Sequence, residues 1–189
     1  MRIASIGFRA KTARAIAIAL AAEASEPAYV ARWEIALVDP SRPATAQPHH
    51  EVMELPWTEA QSAVRPLERC IEEVATKRLH AMLNELGQKG YRVDGIGIVG
   101  SADRNLARIG NPHIRAHAAE GILFRHVLEL SSAAHNIRWR SFPDKSIQPE
   151  NMKTTLDSIG RAAGRPWRAD ERAAATAAWL VLSGVAAGN

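Results

Sequence analysis

His113, His117 and Glu120 are spaced i, i+4, i+7. At about 100° per residue, that spacing puts all three on one side of a helix. Phe124 and Leu128 share this side, and Arg115, Arg125, His126 and Glu129 fall opposite. Two imidazoles one turn apart can share a divalent metal, with a carboxylate as third ligand. The His-Glu-x-x-His pattern, which would add an adjacent general base, is absent. A plainer reading has the three groups capping the helix start and bonding to the loop before it, Ser101 to Gly110. His49-His50-Glu51 is a second histidine group, but it sits in a proline-rich stretch and reads as a solvated loop.

Two other sets of residues could do chemistry. Arg9, Lys11 and Arg14 near the N-terminus, with Arg104, Arg108 and Arg115, would suit phosphates if the fold brought them to one edge. Asp103, Asp170 and Glu171 are acids beside predicted element ends. Other patterns exclude chemistry. Gly95-Ile96-Gly97-Ile98-Val99-Gly100 matches G-x-G-x-x-G, yet the glycines fall inside a strand and not in a strand-to-helix turn, so the dinucleotide reading fails. Neither a G-x-x-x-x-G-K-[ST] loop nor a G-x-S-x-G elbow occurs. Cys70 lies on the apolar stripe of a helix and reads as a buried, inert thiol.

The elements that position these residues follow from periodicity. Arg2–Phe8, Arg14–Ala22 and Tyr29–Val38 alternate and read as strands with short connections, an antiparallel meander. Asp39–Pro56 is a loop. Thr58 with Gln61 fits a capping box that opens a long helix to Gly87, with Pro66 marking a kink or a later start near Arg65. Val93–Val99 reads as a buried strand. Asn111 and Pro112 open a helix to Ala134, Ile137–Phe142 is a strand, Pro149–Ala163 is a helix closed by Gly164, and Ala169–Leu182 is a terminal helix. The order β-β-β-α-β-α-β-α-α gives an α/β fold: a mixed five-stranded sheet with helices on both faces.

The 189 residues, 47% hydrophobic and 23% charged, are enough for one domain spanning 1–189 with its own core. One cysteine excludes a disulfide framework and a cysteine-rich zinc site. The longest apolar run, Ala15–Ala22, is too short to cross a bilayer, and no signal peptide is read, so a cytoplasmic protein with no membrane partner is expected. A net charge of +4 allows a polyanion partner without requiring one.

This element order resembles the ribonuclease H-like superfamily, which includes Holliday-junction resolvases and, more distantly, actin-like ATPases. Ile3–Leu20, with its Lys-Thr turn, is similar to the first hairpin of the resolvase branch. Asn111–Ile137 resembles that branch's helix and following strand, and Arg168–Leu182 its terminal helix. The resemblance implies carboxylates at the ends of the first and fourth strands and on the terminal helix, holding two Mg²⁺ for phosphodiester chemistry. Here the first position reads Ser5-Ile6-Gly7-Phe8-Arg9 and the fourth-strand position Ile98-Val99-Gly100-Ser101, both without an acid. Asp103 follows in the loop, and Asp170 and Glu171 remain at the terminal helix; if catalytic, these three would hold one Mg²⁺. The expectation is a domain with an incomplete acid set that binds nucleic acid or another phosphate ligand, with weak or no nuclease activity. The alternatives are an interaction module that forms a homo-oligomer, and an actin-like nucleotide binder.

Overall fold

The computed structural model describes residues 1–23, 26–147 and 149–184. Five strands, β1 (Arg2–Lys11), β2 (Arg14–Glu23), β3 (Glu26–Ala36), β4 (Tyr91–Gly100) and β5 (Arg138–Pro143), form one sheet in the order β3-β2-β1-β4-β5. β1, β2 and β3 pair antiparallel; β1, β4 and β5 run parallel. The mixed sheet is the one expected from the sequence. Helices α2 (Arg65–Gln88) and α3 (Pro112–Ala134) cover one face; α4 (Lys153–Ala163) and α5 (Ala169–Leu182) cover the other.

Strict alternation assigns side chains to these two faces. On β1, Ile6 and Phe8 face α2 and α3, where they join Leu79, Leu86, Phe124 and Leu128 in the larger core. On β2, the alanines 15, 17 and 19 join that core, while Ile16, Ile18 and Leu20 point to α4 and α5. β1 and β4, by contrast, offer α5 glycines. A Cβ built on Gly7 would lie 1.8 Å from the Ala174 carbonyl oxygen, and one on Gly97 2.4 Å from that of Ala177. The strand glycines of the G-x-G pattern make room for a helix backbone, and Ser5 Oγ donates to the Ala178 carbonyl at 2.7 Å.

Three local features differ from the sequence expectation, and the start near Arg65 that Pro66 suggested is found. β3 begins at Glu26, because Pro27 sits on an edge strand where its missing N–H costs no ladder bond. Between Ala19 and Leu20 the register slips by one on β3, so Val30 turns to the larger core with Ala31, and Tyr29 to the opposite face. The long helix is divided: α1 (Trp57–Ala63) starts from Pro56 with no side-chain cap, so Thr58 and Gln61 form no capping box, and α2 begins at Arg65, where Pro66 needs no N–H partner. Pro149–Met152 is a separate 3₁₀ turn ahead of α4. Asn111 caps α3 as expected, its side chain accepting from the Ile114 N–H at 3.0 Å.

Candidate functional site

Parallel pairing brings three strand ends level. Arg9 of β1 stands opposite Val99 of β4, and Gly100 opposite Pro143 of β5. Asp144 follows β5 directly, and its N–H donates to the Gly100 carbonyl at 3.1 Å. The first turn of α5 adds Asp170. Arg9 lies between these two carboxylates. It donates to both oxygens of Asp144, the Nη2 bond measuring 3.2 Å, and its Nε lies 3.4 Å from Asp170 Oδ1. Lys11 Nζ reaches the same Asp170 oxygen at 3.2 Å. Two acids and two cations thus neutralise one another at the carboxyl end of the central strand.

The other two sequence-selected acids are engaged elsewhere. Glu171, 5% exposed, accepts from the Arg168 N–H at 2.8 Å and caps the start of α5. Asp103 accepts from Arg125, which also donates to Glu129; Glu129 in turn accepts from Ser141. Arg125 and Glu129 are 8% and 5% exposed, so the side of α3 opposite His113, His117 and Glu120 is covered at these positions as well. The structure does not bring Asp103, Asp170 and Glu171 onto a common point.

The basic residues divide likewise. Arg14 donates to Glu34 at 2.9 Å. Arg115 donates to the Ile109 carbonyl at 3.2 Å and lies over the Trp57 ring. Arg104 and Arg108 form no ion pair among the described residues, and neither does Lys145. Arg104 and Lys145 line a cleft of about 510 Å³ beside the Arg9 corner, together with Ser101, His117 and Asp144.

His113 and His117 project from the first turns of α3, with their Nε2 atoms 3.1 Å apart. The third ring beside them is that of His50, its centroid 5.0 Å from His113 and 4.4 Å from His117. One ligating atom from each of the three lies within 4.8 Å of the others. Glu120, 0% exposed, is not a third ligand in this arrangement. Its Oε1 accepts from His50 Nδ1 at 2.7 Å and from the His50 N–H at 3.3 Å. In the neutral ring, that bond puts the proton on Nδ1 and makes Nε2 the acceptor nitrogen. His50 Nε2 is buried without a hydrogen-bond partner among the described residues, and so is Glu120 Oε2.

The loop carrying His50 corrects the expectation of a solvated segment. It is a series of turns packed beneath α3, with His49 only 8% exposed. His49 Nε2 lies 3.4 Å from Glu68 Oε1. Burial opposes charge on Glu68, but the hydrogen bond and charge of His49, with Arg65 beside it, outweigh burial and hold the carboxyl below its ordinary 4.5. The dipeptide His49-His50 was visible in the sequence; what brings one of its rings to α3 is the buried carboxylate of Glu120.

No protein-family model matches the chain, and no curated protein matches it. Solved structures do. Thermus thermophilus RuvC in complex with a Holliday-junction substrate aligns over 98% of this chain and 98% of its own, with TM-score 0.50 and 8% identity. A second structure of T. thermophilus RuvC aligns over 97% of this chain and 98% of its own, with TM-score 0.49 and 9% identity. An Aquifex aeolicus member of the Ppx/GppA family covers 76% of this chain and 35% of its own, at TM-score 0.36 and 9% identity. With the sheet order above, the fold is ribonuclease H-like. The likeness to RuvC extends along nearly the whole chain, and at this identity it is a likeness of fold.

Proposed function

We propose that the chain is a single cytoplasmic ribonuclease H-like domain that binds a phosphate-bearing ligand, nucleic acid first among these, and cleaves it weakly or not at all. The observation that carries this reading is Arg9, a cation seated between Asp144 and Asp170 at the carboxyl end of β1. A phosphodiester-cleaving metal pair needs unneutralised carboxylates converging within reach of ions about 3.5–4 Å apart. Here the corner's acids are already paired with Arg9 and Lys11, Glu171 caps a helix, and Asp103 is bound to Arg125. This donor set does not suit Mg²⁺, and no hydrolytic step is assigned to it.

Binding is assigned to the cleft next to that corner. Arg104 and Lys145 line it and have no acid partner among the described residues, and phosphate oxygens would supply one. RuvC, with the same fold, has been solved on a Holliday junction, which makes branched DNA a natural first probe. Fluorescence anisotropy with junction, duplex and single-stranded DNA at about 50 mM salt, alongside cleavage assays in Mg²⁺ and Mn²⁺, tests the reading. Salt-sensitive binding without cleavage is expected. Arg104→Ala and Lys145→Ala should each lower the log–log salt slope on duplex DNA by about 0.9. Robust cleavage abolished by Asp170→Asn would overturn the inactive corner. No binding to any probe would overturn the phosphate reading and leave the interaction module.

A further inference from the structure

We propose that His50, His113 and His117 bind one Zn²⁺ per chain, with Glu120 holding the His50 ring and a fourth position left for water or an anionic ligand. The proposal stands apart from the phosphate reading and rests on four observations of the histidine group.

The first is geometry. In a tetrahedral site with Zn–N distances of about 2.0–2.1 Å, neighbouring ligand atoms are about 3.3 Å apart. His113 and His117 already present their Nε2 atoms to each other at 3.1 Å, and one ring nitrogen from each of the three histidines lies within 4.8 Å of the others. Small side-chain rotations close the remainder. The second is the tautomer. Glu120 Oε1 accepts a hydrogen bond from His50 Nδ1 at 2.7 Å, the carboxylate–histidine arrangement that orients a metal-ligating imidazole and raises its basicity.

The third is an unmet need. His50 Nε2 is a buried acceptor with no partner among the described residues. Such an atom costs free energy unless something fills its lone pair, and a metal ion does so. The fourth is charge. Glu120 is fully buried with one oxygen unpartnered, and a dication on the far side of the His50 ring would compensate it. Three neutral imidazoles with no thiolate suit Zn²⁺, and three protein ligands are the number found where a fourth position stays open. His117 also lines the 510 Å³ cleft, so an exchangeable ligand has a route to the ion.

The experiment uses the full chain purified without a histidine tag and stripped with a chelator. Titration calorimetry with ZnCl₂ alone should give one site per chain, and Co²⁺ in its place should give the intense visible absorption of a four-coordinate ion. His113→Ala and His117→Ala sit on an exposed helix turn, so both should fold, as checked by circular dichroism, and both should lose stoichiometric uptake. Glu120→Gln should weaken Zn²⁺ by about 10–100-fold while retaining all three rings. Zinc should also raise the melting temperature of the wild type and leave that of His117→Ala unchanged, because only a native-state site stabilises by mass action. Absence of stoichiometric zinc in the wild type, or equal uptake by His117→Ala, would overturn the proposal. No nucleic acid enters the test, so its failure is separate from failure of the phosphate reading.

Discussion

Replacing Gly7 by alanine adds a single methyl group, yet it should be among the most damaging small changes in the molecule. The new Cβ would lie 1.8 Å from the Ala174 carbonyl oxygen and 2.5 Å from the Ala178 nitrogen, both backbone atoms of α5. Ordinary contact begins near 3.4 Å, so strand and helix must separate by about 1.5 Å. β1 has nowhere to retreat. It is bonded to β2 and β4 on its two edges, and on its other face Ile6 and Phe8 are fully buried. α5 must therefore lift, opening its contacts with Gly97 and with Ile16, Ile18 and Leu20. Overpacking costs about 1–3 kcal/mol when side chains can yield, and here the obstacle is backbone, so about 3 kcal/mol is expected. For a chain of this length that corresponds to a fall of roughly 6–12 °C in melting temperature. Gly87→Ala is the control: its Cβ meets nothing within 4 Å in α2, and it should stabilise by about 0.5–1 kcal/mol. Differential scanning calorimetry compares the two. If Gly7→Ala melted within a degree of wild type, the close seating of α5 on β1 would be wrong.

Three further outcomes are expected. Asn111→Ala removes the side chain that accepts from the Ile114 N–H and should cost about 1 kcal/mol, roughly 2–4 °C by thermal melting; no change would mean that α3 does not depend on this cap. Asp39 is held below its ordinary 3.8 by the Ser41 hydroxyl and N–H and then by the Cys70 thiol, so the stability it adds is present above that value and lost as pH falls through its folded one. The melting-temperature gap between wild type and Asp39→Ala should accordingly shrink below about pH 4, and a gap that stays constant would contradict the assignment. Burial, and then the bond donated to Asp39, push the Cys70 thiol up from its ordinary 9.0; alkylation by iodoacetamide near neutral pH should be slow in the wild type and faster in Asp39→Asn, and equal rates would count against that bond.

How far the sequence discloses this molecule depends on the range of the interaction. The Ala–Ile alternation of β2 encodes a strand with one small and one large face, and both faces are used as written. Asn111-Pro112 marks the start of α3 because capping is settled within three residues. The Val30 bulge is not legible, since it depends on how β2 and β3 pair and not on either strand alone. The division at Val64 was signalled by Pro66, but Thr58 and Gln61 imitate a capping box that the helix, starting from Pro56, does not form. At the histidine group, the i, i+4 pair is a local pattern and visible. His50 reaches it from a loop more than sixty residues earlier, and the one hint was a glutamate on the apolar side of α3 beside Phe124 and Leu128, a buried carboxylate in need of a donor. At the strand-end corner, the sequence shows directly that Ser5–Arg9 and Ile98–Ser101 carry no acid, whereas the seating of Arg9 against Asp144 required the parallel pairing of β1, β4 and β5.

The glycine-and-alanine seam between β1 and α5 also sets a timetable. Ile18 leaves the ribosome about 160 residues before Ala178, its eventual cover. At synthesis rates of about 5–20 residues per second, that interval is roughly 10–30 s. The hairpin of β1 and β2 can pair within microseconds, and α2 and α3 can shelter one of its faces while the chain is still growing. The other face, with Ile16, Ile18 and Leu20, stays wet until α4 and then α5 arrive. A truncation that stops before Ala169 removes α5 and leaves that strip with only α4 beside it, an apolar surface exposed on an otherwise formed sheet.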